Sequence, residues 1–476
     1  VLNSSGSKTY DANTDALAGA ITLSNLVSGE ALNHSGTATI SSANAGSYTI
    51  TNLSGISIAD GSGGTASNYT LTGGTHNFTV NRRAVSVSGT RLYDATTNAV
   101  ASDLSTHANL VGSETLNLSG TGTIASKNVG SNKTVSVGTL ALADGSNGGL
   151  AANYTLSGGT HQLTVNQRPL NATLARQYDG TTTAAGSDLS SFDALQGGET
   201  LTMTGSGTAA SANVANGIAM SSNGTLALAD GTGLASNYSL NSTVINIAQR
   251  VLNSSGSKTY DANTDALAGA ITLSNLVSGE ALNHSGTATI SSANAGSYTI
   301  TNLSGISIAD GSGGTASNYT LTGGTHNFTI NQRPLAATIA RQYDGTKTAA
   351  GSDLSSFDAL QGGETLTLSG SGTVGDENVA NGQGVTLGSL ALVNGTGLAS
   401  NYSLNSASLN ITKRVLNSSG SKTYDANTDA LAGAITLSNL VSGEALNHSG
   451  TATISSANAG SYTITNLSGI SIADGS

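Results

Sequence analysis

Residues 251–329 of this chain reproduce residues 1–79 letter for letter, and 415–476 reproduce 1–62. A sequence that returns to itself at a regular period folds as a series of like modules, each touching only its neighbours. Between the identical copies lie related units, and each complete unit closes on an arginine: Arg83, Arg168, Arg250, Arg333 and Arg414. The boundaries are therefore 1–83, 84–168, 169–250, 251–333, 334–414 and 415–476. With the first unit called A, the order is A, B, C, A, C-like, A. Two readings of that order stand: a guard against strand exchange between identical neighbours, or the outcome of recombination. No Gly/Ser tether separates the units, since Arg83 runs into Ala84-Val85-Ser86-Val87 and Gln167-Arg168 into Pro169-Leu170. Modules joined this tightly are expected to lie end to end in a stiff rod.

Within a unit the apolar residues alternate, as in half-buried strands. In the fifth unit Leu366, Leu368, Gly370, Gly372 and Val374 share one face and Thr365, Thr367, Ser369, Ser371 and Thr373 the other. The closing strands alternate through Phe78 and Val80, Leu163 and Val165, Ile245 and Ile247, Leu409 and Ile411. Turns fall at Gly29-Glu30, Asp60-Gly61, Asp144-Gly145 and Asn394-Gly395, and a short helical turn is expected around Asp188 to Leu195. Six or seven short strands in about 82 residues indicate an all-β module, an Ig-like β-sandwich, repeated in tandem along an elongated rod. β-Grasp-like modules or one continuous β-solenoid are the alternatives. Stability of about 5 kcal/mol per module is expected, at the low end of the usual range.

Composition excludes several functions. The chain has no Cys, only 9% charged residues and a net charge of −11. A disulfide framework, a thiolate nucleophile and a basic nucleic-acid footprint are therefore ruled out. No apolar run is long enough to span a membrane. The last copy of A lacks the equivalent of Gly63 to Arg83, so the chain is expected to be an internal segment of a longer molecule. A strand donated by another chain is the sharper alternative.

Two pairs recur. Tyr-Asp stands at Tyr10-Asp11, Tyr93-Asp94, Tyr178-Asp179, Tyr260-Asp261, Tyr343-Asp344 and Tyr424-Asp425. Asn-Tyr stands at Asn68-Tyr69, Asn153-Tyr154, Asn237-Tyr238, Asn318-Tyr319 and Asn401-Tyr402. Such tyrosines are expected to pack in the core with their hydroxyls bonded to backbone at a corner; an exposed tyrosine ladder for sugars is the alternative. The ordered series Arg-x-Tyr-Asp-Gly-Thr (Arg176 to Thr181, Arg341 to Thr346), Gly-Gly-Glu-Thr-Leu, Lys-Asn-Val-Gly (Lys127 to Gly130), Ala-Asp-Gly and Asn-Tyr-Thr-Leu resembles the YDG repeat. Such repeats occur in the stalks of large exported bacterial adhesins of the filamentous-haemagglutinin type. Units A and B depart from it, with Tyr-Asp-Ala at Tyr10 to Ala12 and Tyr93 to Ala95, which argues against a special role for the glycine. The resemblance implies export, attachment at the bacterial cell surface, and a part in adhesion or biofilm. It supplies no catalytic residues.

Enzymatic chemistry finds little support. His34, His284 and His448 are one site copied, on the face where other units carry Leu118, Met203 and Leu368, and read as packing residues. No His occurs in units C and C-like, so no repeated catalytic His exists. Asp11-x-Asn13-x-Asp15 begins like a calcium loop but lacks the Gly and Glu that complete one; the plainer reading is an Asx-turn. A Lys–Asn isopeptide bond is no general device, because unit C has no Lys. Asn-x-Ser/Thr sequons at Asn3, Asn33, Asn52, Asn68 and Asn77 allow glycosylation. The sequence thus points to a non-enzymatic, extracellular stalk or filament with no cofactor and no bound metal. Its partners are its own neighbouring repeats, with self-association into fibres and surface glycans as further ones. A multivalent carbohydrate-binding array is the alternative.

Overall fold

The computed structural model describes residues 1–475 and is all-β: strands joined by turns and single-turn 3-10 helices. Among the described residues no helix is long and apolar enough to cross a membrane. The chain divides into two compact units, Val1–Ala248 and Gln249–Ser476.

Residues 1–83 show the pattern. Their strands are β1 Asn3–Thr9, β2 Asp15–Leu17, β3 Ile21–Ser24, β4 Leu32–Ile40, β5 Gly46–Asn52, β6 Ile56–Asp60 and β7 His76–Asn81. They form one curled sheet in the order β2-β4-β5-β7-β1-β3, with β6 on β4. The first and last strands lie side by side and run parallel, from Ser4 opposite His76 to Thr9 opposite Asn81. The other pairings are antiparallel. The curl has a local cause: β5 pairs with β7 through Gly46–Thr49 and then with β4 through Ile50 and Asn52, across a bulge at Thr39/Ile40. A strand shared by two partners and bent at a bulge wraps the sheet over its own apolar face. The alternating residues fill that face; Phe78 and Val80 are almost fully buried.

Two expectations need correcting. The alternating run from Leu366 to Val374 is two half-strands, Leu366–Ser369 on Ala391–Asn394 and Ser371–Thr373 on Thr348–Ala350. Gly370, at φ +77°, swivels the chain between partners without breaking the inside–outside alternation, because only glycine takes a positive φ without strain. In the A units the same swivel falls at Gly36, φ +102°, within a single long strand. The helical turn expected around Asp188 to Leu195 is a 3-10 turn at Gly186–Asp188 followed by strand Leu189–Phe192.

The core does not stop at module boundaries. In the first unit one apolar cluster runs from Tyr10 and Phe78 through Tyr93 and Leu163 to Leu170, Leu201 and Tyr238. In the second, Tyr260 and Phe328 share a cluster with Leu335, Leu366 and Tyr402.

Candidate functional site

The recurrent residues meet where one module follows another. Tyr10, at the end of β1, sends its hydroxyl across the boundary to Oε1 of Glu114, 2.6 Å away. Tyr154, from the second module, donates to Oε2 of the same carboxylate at 2.6 Å and accepts from the Val111 amide at 3.0 Å. The two rings meet edge to face, 5.3 Å between centroids at 77°, a favourable aromatic geometry. Asn153, fully buried, takes the Ala45 amide on Oδ1 at 2.8 Å and donates to Oδ1 of Asn44 at 3.0 Å. Arg83 closes the joint: Nη1 donates to the Tyr10 carbonyl at 3.3 Å and Nε to that of Asn109 at 2.8 Å.

The joint is rebuilt at the next boundary. Tyr93 and Tyr238 donate to the two oxygens of Glu199 at 2.7 and 2.9 Å, with rings 5.3 Å apart. Asn237 bonds Val129 and Asn128, and Lys127 adds an ion pair to Glu199 at 2.6 Å. In the second unit Tyr260 and Tyr402 share Glu364, with rings 5.2 Å apart, and Asn401 bonds Ala295 and Asn294. Tyr343 donates to Glu444. Elsewhere Tyr69 and Tyr319 donate to Glu30 and Glu280 of their own modules. Asn68 is exposed, Asn318 and Tyr178 are buried, and Tyr424 is 62% exposed. The hydroxyls in the joints therefore donate to a carboxylate rather than to backbone at a corner: the Tyr-Asp tyrosine to that of the next module and the Asn-Tyr tyrosine to that of its own. The cause is energetic: a charged acceptor makes the stronger hydrogen bond, and one carboxylate has lone pairs for two donors.

Every repeat supplies this glutamate from its Gly-Glu or Ser-Glu turn. Six of the chain's seven glutamates, Glu30, Glu114, Glu199, Glu280, Glu364 and Glu444, occupy it. In the sequence it reads as a turn residue, at Gly29-Glu30 and its counterparts. The signal was there: in a chain with 9% charged residues, a charge kept in every repeat is worth a partner.

The aspartate of each Tyr-Asp pair turns the other way and organises the adjoining loop. In the A modules Lys8 Nζ reaches Asp11 Oδ1 at 2.8 Å, Asn13 O at 2.8 Å, Asn13 Oδ1 at 2.7 Å and Asp15 O at 2.8 Å. Lys258 with Asp261 and Lys422 with Asp425 repeat the arrangement. Arg91, Arg176 and Arg341 replace it at Asp94, Asp179 and Asp344. The oxygens that resembled a calcium loop hold the chain's own cation. Nothing remains for a metal to gain, so chelator or millimolar calcium is expected to move the melting temperature by less than about 1 °C, as a thermal melt would show. Among the described residues no group of acidic or His side chains could hold a metal ion.

The residue after Tyr-Asp is constrained after all. Ala12, Ala95, Ala262 and Ala426 sit at φ +60 to +64°, where Gly180 and Gly345 sit at +78 and +75°. The turn demands a left-handed residue, glycine meets it without strain, and alanine costs about 1 kcal/mol there. Nε2 of His34 faces the carbonyls of Ala18 and Ile21 at 3.0 and 2.9 Å, and buried His161 faces Leu156 O at 2.8 Å.

Burial, with the neighbouring carboxylate, pushes the hydroxyls of Tyr10, Tyr154, Tyr238 and Tyr260 up to about 12. Burial also raises the Glu199 carboxyl, but the bonds from Lys127, Tyr93 and Tyr238 more than offset it and leave it below the usual range. The tyrosines favour folding fully below about pH 10, and that contribution is lost as pH rises from 10 through about 12. The Glu199 contribution is present above about pH 4.3 and is lost as pH falls further. Burial holds the His107 imidazole below its ordinary value, so stability also declines as pH falls below about 6.5. Thermal melts should be flat from about pH 7 to 9 and fall on both sides, with the alkaline loss tracking tyrosinate absorbance.

A family model of the YDG domain matches residues 2–77, 75–162, 161–245, 248–326, 329–411 and 408–476. The chain belongs to the YDG domain family. No curated protein matches it. In this array the YDG signature divides its labour: the tyrosine fastens one domain to the next, and the aspartate and the residue after it shape the loop.

Proposed function

We propose that this YDG array is a non-enzymatic structural stalk or filament of a bacterial surface adhesin or biofilm-matrix protein, working outside the cell to project or link surfaces. The observation that carries the reading is the joint. Successive domains within a unit are fastened by a shared carboxylate, a buried asparagine and an arginine, with no tether between them. The strand order supports it. Parallel first and last strands put a domain's entry and exit at opposite ends of one ladder, so tension along the chain shears all their pairings together rather than unzipping them. That ladder spans Ser4–Thr9 in the first repeat and Arg168–Gln177 in the third.

Tyr10, Tyr93, Tyr154, Tyr238, Tyr260 and Tyr402 are buried in the joints, which counts against a sugar-stacking ladder as the working surface. Electron microscopy of the native material tests the reading. A thin rod with a period of one domain, roughly 35 Å from about ten strand residues, is expected, and its width distinguishes single chains from bundles. Discrete globules would contradict it. Antibody labelling of intact cells checks the location, with no surface signal as the contrary result.

A further inference from the structure

The first five repeats join their opening and closing strands in two different ways. In the third and fifth the two strands form one parallel ladder, Arg168–Gln177 opposite Tyr238–Ala248 and Arg333–Gln342 opposite Tyr402–Thr412, each with a single bulge. In the second and fourth the same ladder is cut in two. Tyr154–Thr155 pairs with Arg83–Ala84 and Tyr319–Thr320 with Arg250–Val251, and pairing resumes only at Gln162–Asn166 and His326–Asn331. The first repeat has the later block, Ser4–Thr9 on His76–Asn81.

The cut is made by Gly-Gly-Thr-His, at 73–76, 158–161 and 323–326, a run that the third and fifth repeats lack. Its first glycine takes a φ of +83 to +88°, which glycine adopts without strain. Its second lies against the opening strand: a Cβ on Gly74, Gly159 or Gly324 would stand 1.8–2.0 Å from the carbonyl oxygen of Leu2, Val85 or Leu252. The histidine ties the loop down, with Nε2 2.7–2.8 Å from the carbonyl of Leu71, Leu156 or Leu321. The loop gives the closing strand surplus length. In the fourth repeat residues 321–325 run opposite only Leu252 and Asn253. In the third the surplus is Asn241 alone, at the bulge, where Asn241 Nδ2 and Ser242 Oγ donate to Oδ1 of Asn171 at 2.9 and 2.6 Å.

We infer that these repeats are of two mechanical grades, a hard third and fifth and a soft first, second and fourth. Under rising tension the soft repeats open first and release chain while the hard ones hold. Entry and exit lie at opposite ends of a parallel ladder, so a pull shears it. In an unbroken ladder all the pairings resist together. Where the loop intervenes, its surplus length is slack, and the short block ahead of it passes no load along the closing strand. The load then falls on Ser88–Leu92 with Gln162–Asn166, or on Ser254–Thr259 with His326–Asn331, about half the length of the hard ladder. The grading rests on the stalk reading for its tension, but it is a property of each repeat by itself.

The test is single-molecule force spectroscopy of the 476-residue chain held at its ends. Each repeat that opens should release roughly 250 Å, from about 82 residues at up to 3.6 Å each less the folded span. Peak forces should fall into two classes. Two releases belong to the upper class, at roughly 1.5-fold the force of the lower, since forced opening reads the unfolding barrier. Two glycines inserted between Asn241 and Ser242 give the third repeat the spacing of the interrupted ones and should move one release to the lower class. Two glycines inserted between Asn223 and Gly224, outside the ladder, should leave both upper releases in place. If the ladder insertion abolishes its release altogether, the unaltered chain and the second insertion still decide. A single force class in the unaltered chain, an upper class of other than two releases, indifference to the ladder insertion, or equal effects of the two insertions would overturn the inference. Electron microscopy and surface labelling test the stalk reading separately, so either can fail without the other.

Discussion

Glu114→Gln is expected to loosen the first joint by about 3 kcal/mol while leaving both modules folded. The carboxylate accepts two hydroxyls at once, at 2.6 Å each. The amide keeps one acceptor oxygen and turns an N–H₂ toward the other tyrosine, so one charge-assisted bond is lost outright and the second is weakened to a neutral one. The effect should be local. Native-state hydrogen exchange of the Val111 and Ala45 amides, both held by joint side chains, should accelerate roughly hundredfold, while the β1–β7 ladder stays protected. Glu377 is the control. It is the one glutamate outside the joint position, and its ion pair to Lys347 is long, at 3.5 Å, and exposed. Glu377→Gln should change stability by less than about 0.5 kcal/mol.

Tyr154→Ala should cost more, about 3–5 kcal/mol, because a ring buried to 2% leaves a cavity as well as unpaired groups. A loss of that size approaches the whole stability of a small module. Calorimetry should therefore show the second module separating as an earlier transition. Tyr154→Phe divides the effect. The ring and its contact with Tyr10 remain, but Glu114 and the Val111 amide each lose a partner, for about 1–2 kcal/mol. Tyr424→Ala, at an exposed copy of the Tyr-Asp position, should stay within about 0.5 kcal/mol.

The fold class was legible because strand alternation is a local property. Phe78, Val80, Leu163, Leu170 and Ile245 alternate in the sequence and are buried in the structure. The break at Gly370 was hidden for the same reason: a positive-φ swivel changes a strand's partner without disturbing its inside–outside period. The recurrent tyrosines were visible, but their partner was not. Tyr10 and Glu114 lie 104 residues apart, on opposite sides of a module boundary. A reading that closes each module on itself assigns the hydroxyl to local backbone. The Lys8 cage was obscured by its own oxygens: Asp11, Asn13 and Asp15 present a cation site, and only the fold shows that the cation is supplied from the preceding strand. Likewise Ala12 in place of Gly looked like evidence against a backbone requirement. Its φ of +60° shows the requirement met at a cost.

The most direct test of the fastened joint is a double-mutant cycle across the first boundary, Tyr10→Phe with Glu114→Gln, read by the free energy of unfolding of the full chain. If the tyrosine of one module is held by the carboxylate of the next, the two changes will be coupled by about 1–3 kcal/mol. Additive effects, with a coupling energy near zero, would mean that neighbouring modules merely abut, and would contradict a joint built on that carboxylate.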